Sequence, residues 1–185
     1  MIDIAWRYVI IGFSHVIPLG YDHILFILSI FLFASNFKSV VIQCSVFTVA
    51  HSLSLAFTAM GFVVSNLYIV EPLISLTILY SAIENIASRK NHPIRIYIIF
   101  IFGIIHGLGF ANALNEVGIP TQNFISSLLF FNIGVELGQI LVIILAYYIF
   151  FKWFSNKVWY KTRIVYPISS IIGCVAIYWT FERFI

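Results

Sequence analysis

The sequence predicts an all-α, polytopic membrane helix bundle, and two observations support that prediction. Of the 185 residues, 62% are hydrophobic and 9% are charged, whereas a soluble domain carries about 25% charged residues. The apolar residues also form long runs, and a membrane-spanning helix needs roughly 20 such residues. We therefore expect the whole chain, 1–185, to form a single integral membrane domain in a cell (inner) membrane.

Six apolar runs define the expected spans, and Pro18 and Gly20 interrupt the first of them. Proline removes a backbone donor and clashes with the preceding turn, so this run is either one kinked helix or a half-helix that leads into a second piece. A count of seven spans is the alternative. The six expected spans are 8–34, 39–61, 70–88, 94–112, 124–151 and 164–181.

The basic residues predict the orientation of the bundle. Between the first and the last span, Lys and Arg fall in alternate loops, 35–38, 89–95 and 152–163, and are absent from loops 62–69 and 113–123. Because cytoplasmic loops carry an excess of Lys and Arg, the three basic loops are expected in the cytoplasm. With six spans, both termini then face outward.

Ionisable side chains lie within these spans, although a charge at the centre of a membrane helix costs roughly 2.5–3.5 kcal/mol. Counted at about 1.5 Å per helical residue, they reach a similar depth from five different spans. Since Lys and Arg are assigned to the loops, no basic side chain is expected to balance the three carboxylates, and a bound cation would do so. The residues are Asp22, His23, His51, Glu84, His106 and Glu136, together with His15 near the break.

The ligand types narrow the choice of cation. Imidazole nitrogen combined with carboxylate oxygen suits first-row divalent metals such as Ni, Co and Zn, whereas Mg and Ca prefer oxygen ligands alone. The two cysteines, Cys44 and Cys174, are far apart and provide no thiolate pair. The predicted ligand is therefore a divalent metal ion (Ni, Co or Zn), and an ion-pair network that only holds the bundle together is the alternative.

A weak internal repeat pairs two of the histidine helices. The segment Phe47-x-x-x-His51 matches Phe102-x-x-x-His106, and a glutamate follows each on the next span. Transporters often contain such repeats, with the binding site between them near the bilayer midplane. The repeat predicts two helix pairs that run in the same direction, each with a His and a Glu.

These motifs, in this order, make the chain resemble the HupE/UreJ family of membrane proteins, which is named for accessories of hydrogenase and urease. The spacing of seven from His15 to Asp22, with Pro18 between them, is similar to the second, more divergent branch. The resemblance covers about residues 12–139. The matching motifs are Gly20-Tyr-Asp22-His23-Ile-Leu-Phe26, Phe47-Thr-Val-Ala-His51-Ser52, Glu84-Asn85, Phe102-Gly103-Ile-Ile-His106-Gly107-Leu-Gly109-Phe110-Ala111 and Phe131-Asn132-Ile-Gly134-Val-Glu136-Leu-Gly138-Gln139.

The resemblance implies a permease for secondary uptake of a divalent metal, nickel or cobalt. Its partners would be the metal ion and the lipid bilayer, with no nucleic acid, and the sequence leaves oligomerisation open. Under this hypothesis the direct ligands are Asp22, His23, His51 and His106, the residues that offset charge or complete the coordination are Glu84 and Glu136, and the entry ligand is His15.

An intramembrane zinc hydrolase acting on a lipid or a peptide is the competing hypothesis. Histidines, an aspartate and the nearby Ser52 are also the parts of a catalytic zinc site, with Glu84 or Glu136 as general base. A metal sensor or an accessory subunit is a third interpretation. Transport predicts polar lining on both sides of the site, whereas hydrolysis predicts a cavity that opens to one side and is sealed on the other.

Overall fold

The computed structural model describes residues 2–34, 36–87, 93–117 and 123–185, and its regular structure there is helical. The all-α prediction is therefore confirmed. The described residues form seven α-helices: α1 Ile2–Val16, α2 Tyr21–Phe33, α3 Phe37–Ala59, α4 Leu67–Ala87, α5 Arg95–Val117, α6 Phe124–Ala146 and α7 Tyr166–Glu182. Helix α6 runs on into a π-helical segment, Tyr147–Phe151, and another π-helical segment, Lys161–Val165, leads into α7.

The helices confirm a polytopic membrane protein. Four are long and apolar enough to cross a membrane: Phe37–Ala59, Leu67–Ala87, Phe124–Phe151 and Lys161–Glu182. The pair α1 and α2 makes a fifth span if it is counted as one, and α5 contributes a shorter apolar stretch, Arg95–Phe110. Each of the six predicted apolar runs thus contains helix, although the lengths support four or five complete spans among the described residues.

The first run is broken at the predicted place. Helix α1 ends at Val16, α2 begins at Tyr21, and the two axes differ by 68°. A Cβ atom at Gly20 would lie 2.1 Å from the carbonyl oxygen of His15, so the chain can fold back this tightly only with glycine there. The break therefore brings the end of α1 against the beginning of α2, and each of these ends carries a histidine.

Three close helix pairs organise the bundle: α3 with α5, α1 with α6, and α4 with α7. Glycine allows the first two pairs to approach closely. A Cβ at Gly103 would lie 2.5 Å from the carbonyl oxygen of Phe47, and one at Gly107 would lie 2.2 Å from that of His51. Since 103 faces 47 and 107 faces 51, α3 and α5 run in the same direction, as the repeat predicted.

Candidate metal site

Four histidines from four helices meet in the interior of the bundle. His23, in the first turn of α2, is the central ring, with centroid distances of 4.5 Å to His15, 5.6 Å to His51 and 5.4 Å to His106. His15 comes from the last turn of α1, and the break in the chain is what sets it beside His23. We call these four residues the histidine cluster.

Three members of the histidine cluster could hold a metal ion. One ring nitrogen each from His15, His23 and His51 lies within 4.8 Å of the other two. In a tetrahedral site with metal–nitrogen bonds of about 2.0–2.1 Å, the nitrogens would be roughly 3.3 Å apart. Closing the difference takes about 1.5 Å or less, which side-chain rotation can supply.

The nitrogens of the histidine cluster are short of hydrogen-bond partners. Nε2 of His15, Nε2 of His23 and both ring nitrogens of His51 are buried and find no partner among the described residues. Buried polar atoms are normally satisfied, and each exception calls for an explanation. Several lone-pair donors that converge without partners are what a cation site requires.

His106 is held by a hydrogen bond that determines its tautomer. Its Nε2 lies 2.9 Å from Oγ1 of Thr77, and the same hydroxyl donates its single proton to the carbonyl oxygen of Ile74 at 2.7 Å. A hydroxyl has one proton to give, so both contacts are satisfied together when the imidazole donates Nε2–H to Thr77. The lone pair of His106 is therefore on Nδ1, which is buried and without a partner among the described residues.

Phenylalanines surround the histidine cluster. Phe110 lies 3.7 Å from the His15 ring between centroids and stacks on Phe131. Phe26 and Phe47, both fully buried, contact His106 at 5.4 and 5.0 Å. These apolar rings lower the local dielectric, which strengthens any electrostatic interaction with a bound ion.

An open cavity of about 560 Å³ reaches the histidine cluster from one end of the bundle. Glu71 near the start of α4 and Arg183 just after α7 belong to the lining of this cavity, so it opens where α4 begins and α7 ends. His15, His23 and His106 line its inner part. We call this space the entry cavity.

A second cavity of about 440 Å³ lies at the opposite end, where α3 and α5 begin. Its lining includes Lys38, Gln43 and Arg95. Phe47 is one turn from His51 towards this end, and Phe26 is placed in the same way relative to His23. These two rings therefore separate the histidine cluster from the second cavity.

The structure gives Asp22 a partner outside the histidine cluster. Its two carboxylate oxygens accept hydrogen bonds from Nη2 of Arg183 at 3.0 and 3.1 Å. Asp22 nevertheless lines the entry cavity together with His23.

Glu84 is engaged at the far end of the bundle. It forms an ion pair with the buried Arg95, whose Nε also donates to Oε1 of Gln43 at 2.8 Å. The expectation that no basic side chain balances the carboxylates is therefore wrong for Asp22 and Glu84. The reason is that Arg95 and Arg183, although each is at a helix end, turn their guanidinium groups back towards the bundle.

Glu136 accepts a hydrogen bond from Oγ of Ser45 at 2.8 Å. Ser45 precedes His51 by six residues, about 9 Å along a helix, in the direction of the second cavity. Of the seven residues predicted from the sequence as metal ligands, the structure thus brings together the four histidines. It places Asp22 at the cavity wall and gives Glu84 and Glu136 partners elsewhere; their role as ligands stays a prediction.

Sequence reasoning missed two residues around the site. Thr77 is one of several hydroxyl residues on α4 and stands in none of the matching motifs, and Arg183 lies in the final 45 residues, beyond those motifs. The sequence around Thr77 shows only its neighbours on its own helix, such as Ile74. It does not indicate that a histidine on another helix lies within hydrogen-bond distance. A lone arginine after an apolar run is the usual pattern of a membrane-interface residue. Nothing in the sequence therefore indicated that Arg183 lies beside the site.

These features define a polytopic helical membrane protein with a buried histidine site that could bind a metal ion. The family model described as HupE / UreJ protein, the second model of that name, matches residues 1–183. The chain therefore belongs to the HupE/UreJ family, as the motifs predicted, and the match extends over the C-terminal region as well. No curated protein and no solved structure matches the chain.

Proposed function

We propose that this protein binds a divalent transition-metal ion, with nickel or cobalt favoured by the family, and carries it across the membrane. The observation that supports this proposal is the set of buried ring nitrogens of His15, His23 and His51, which have no partner among the described residues, beside an open cavity that His15 and His23 line. Neutral imidazoles are ligands for nickel, cobalt and zinc. The metal is the transported substrate in this proposal.

His106 is the fourth ligand in this proposal, because its Nδ1 has no partner among the described residues and its ring adjoins His23. In this proposal the Asp22 carboxylate attracts the entering ion from the wall of the entry cavity. Glu84 and Glu136 act outside the coordination sphere, since each has a partner of its own.

Transport is favoured over simple storage by the two cavities at opposite ends of the bundle. Polar side chains line both, and the paired rings of Phe26 and Phe47 form the barrier between the histidine cluster and the second cavity. A carrier that is open to one side and closed to the other has this arrangement. Passage of the ion would require these two rings to separate.

The test is metal binding and flux with the purified full-length chain. Cobalt is titrated into the detergent-solubilised protein, and cobalt or nickel entry is followed in proteoliposomes with a fluorescent indicator inside. Wild type should bind about one ion per chain and admit it. His51→Ala should lose at least tenfold in affinity and most of the flux, because one of three or four direct ligands is gone.

His92→Ala is the matched control, since the sequence places this histidine in a basic loop. It should bind and transport like wild type. Equal binding by wild type and a folded His51→Ala variant would contradict the proposed site. Binding without any flux would contradict transport.

A metal-dependent hydrolase is the second candidate, and the observation that favours it is that, among the described residues, the cavity reaching the histidines opens at one end of the bundle. Its weakness is the absence of a free base: among the described side chains, each carboxylate proposed for that role has a partner. Ser52 also donates its hydroxyl proton to the carbonyl oxygen of Thr48 at 2.6 Å. Zinc that survives a chelator, together with no flux, would favour the hydrolase.

A further inference from the structure

Arg183 occupies the wall of the entry cavity and is shared between two helices. Its Nη2 binds both oxygens of Asp22, and its Nη1 donates to Oγ of Ser75 at 3.1 Å and to the carbonyl oxygen of Glu71 at 3.3 Å. The guanidinium therefore joins α2 to α4 from a position just after the end of α7.

The ion pair is close to the histidine cluster along the chain and in space. Asp22 precedes His23 directly, and Asp22, Arg183 and His23 all line the same cavity. An ion that enters from the open end therefore meets a cavity wall that carries the Asp22 carboxylate as well as the imidazoles. While Arg183 holds that carboxylate, its positive charge repels the same ion.

The ion pair between Arg183 and Asp22 is suited to the exchange of one cation for another at the carboxylate. The side chains of Arg183 and Asp22 retain 20% and 26% of their exposure, and partly solvated ion pairs contribute little net stability, typically up to about 1 kcal/mol. A divalent cation carries twice the charge of a guanidinium and attracts a carboxylate correspondingly more strongly at equal distance. The bonds to Ser75 and to the backbone at Glu71 would keep Arg183 in place on α4 after it releases Asp22.

We propose that Arg183 is a displaceable counter-ion that occupies Asp22 until the incoming metal cation takes its place. The inference rests on the proposed function and identifies the residue that sets how readily the cation enters. One cation replaces another at the same carboxylate, so the cavity wall is never left with an unpaired Asp22. The purely structural reading is that Arg183 is a fixed clamp between helices.

The experiment compares cobalt affinity, by calorimetry in detergent, for wild type, Arg183→Gln and Arg163→Gln. Removing the competing cation should tighten binding in Arg183→Gln by roughly fivefold or more, a typical size for coupling between sites. The exposed Arg163 is the matched control and should have no effect. In an Asp22→Asn background, Arg183→Gln should no longer tighten binding, because the two changes act through one pair.

Arg183→Lys provides a second variant if the glutamine variant does not fold. Lysine keeps the charge but not the planar two-pronged geometry, so its affinity should lie above that of wild type and below that of the glutamine variant. Unchanged or weaker cobalt binding in a folded Arg183 variant would overturn the displaceable counter-ion and leave the clamp. Failure of wild type to bind cobalt at all would instead overturn the site itself and, with it, the entry mechanism.

Discussion

Thr77 controls the availability of one lone pair on His106, and this can be tested with a near-isosteric change. Thr77→Val removes the acceptor for Nε2–H, so the imidazole loses its fixed tautomer and leaves a buried donor unsatisfied. Loss of such an outer hydrogen bond typically lowers metal affinity by 10- to 100-fold. We expect cobalt affinity at the lower end of that range, about tenfold weaker, in the same detergent titration.

Thr77→Ser is the control for that prediction. Serine retains the hydroxyl, so binding should return to near the wild-type value. A valine variant that unfolds at the wild-type temperature and binds cobalt as wild type does would show that His106 does not depend on Thr77.

Glu84 has a structural role in this fold, and its replacement should affect stability rather than binding. Glu84→Gln leaves the buried guanidinium of Arg95 without a carboxylate, and breaking one side of a buried pair costs about 3–5 kcal/mol. The unfolding temperature in detergent should fall clearly, while cobalt affinity of the folded fraction stays near that of wild type.

Glu182→Gln is the matched control, because Glu182 is exposed and its one side-chain hydrogen bond among the described residues is a long contact, 3.3 Å, with the Tyr178 hydroxyl. Its unfolding temperature should hardly change. If Glu84→Gln instead weakens cobalt binding without loss of stability, Glu84 is a ligand as the sequence suggested.

At the residue scale, the sequence predicted which side chains are chemically unusual but not all of their partners. The depth of His23, His51 and His106 followed from counting helical residues, because depth depends on position along one axis. The partner of Asp22 did not, since Arg183 follows it by 161 positions and reaches it through the packing of three helices.

At the scale of the elements, the α3–α5 pair needs glycine for its close approach. Gly107→Ala would place a Cβ 2.0 Å from Oγ of Ser54 and 2.2 Å from the carbonyl oxygen of His51. Overpacking of this kind costs typically 1–3 kcal/mol, occasionally more, and here backbone must move. We expect a lower unfolding temperature and, because His51 moves with α3, weaker cobalt binding.

Gly173→Ala on α7 is the control for the helix-packing prediction. Its Cβ would meet Leu79 and Ala82 at 3.7 and 3.8 Å, which is ordinary contact, so the unfolding temperature should be unchanged or higher. Equal behaviour of the two alanine variants would show that α3 and α5 are not packed as closely as the structure indicates.

Hydropathy predicted the helices of this chain well for a physical reason. Lipid demands an apolar surface on every span, and residues such as Leu129 and Ile133 of α6 are indeed exposed on the outside of the bundle. The break at Pro18 and Gly20 was also foreseen, because backbone chemistry there is local. The 68° between the two pieces was not, since it depends on how α1 packs against α6.

For the molecule as a whole, orientation in the membrane stays a prediction from the basic loops. It can be tested with single cysteines at Val64 and Lys157, both exposed, in a chain carrying Cys44→Ser and Cys174→Ser. In intact cells, a membrane-impermeant maleimide should label Val64→Cys directly and Lys157→Cys only after the membrane is permeabilised. The reverse pattern would invert the bundle and place the entry cavity on the cytoplasmic side.

The break between α1 and α2 has a mechanical consequence. His15 and His23 lie on opposite arms of a bend, so the distance between their nitrogens depends on the angle between the two helices as well as on the side-chain rotamers. A metal bound to both histidines would link α1 to α2 across the bend. Any movement that straightens the two helices would then stretch the metal–nitrogen bonds. Under the proposed function, binding the ion would fix the angle between α1 and α2, and movement of α1 against α6 would change it.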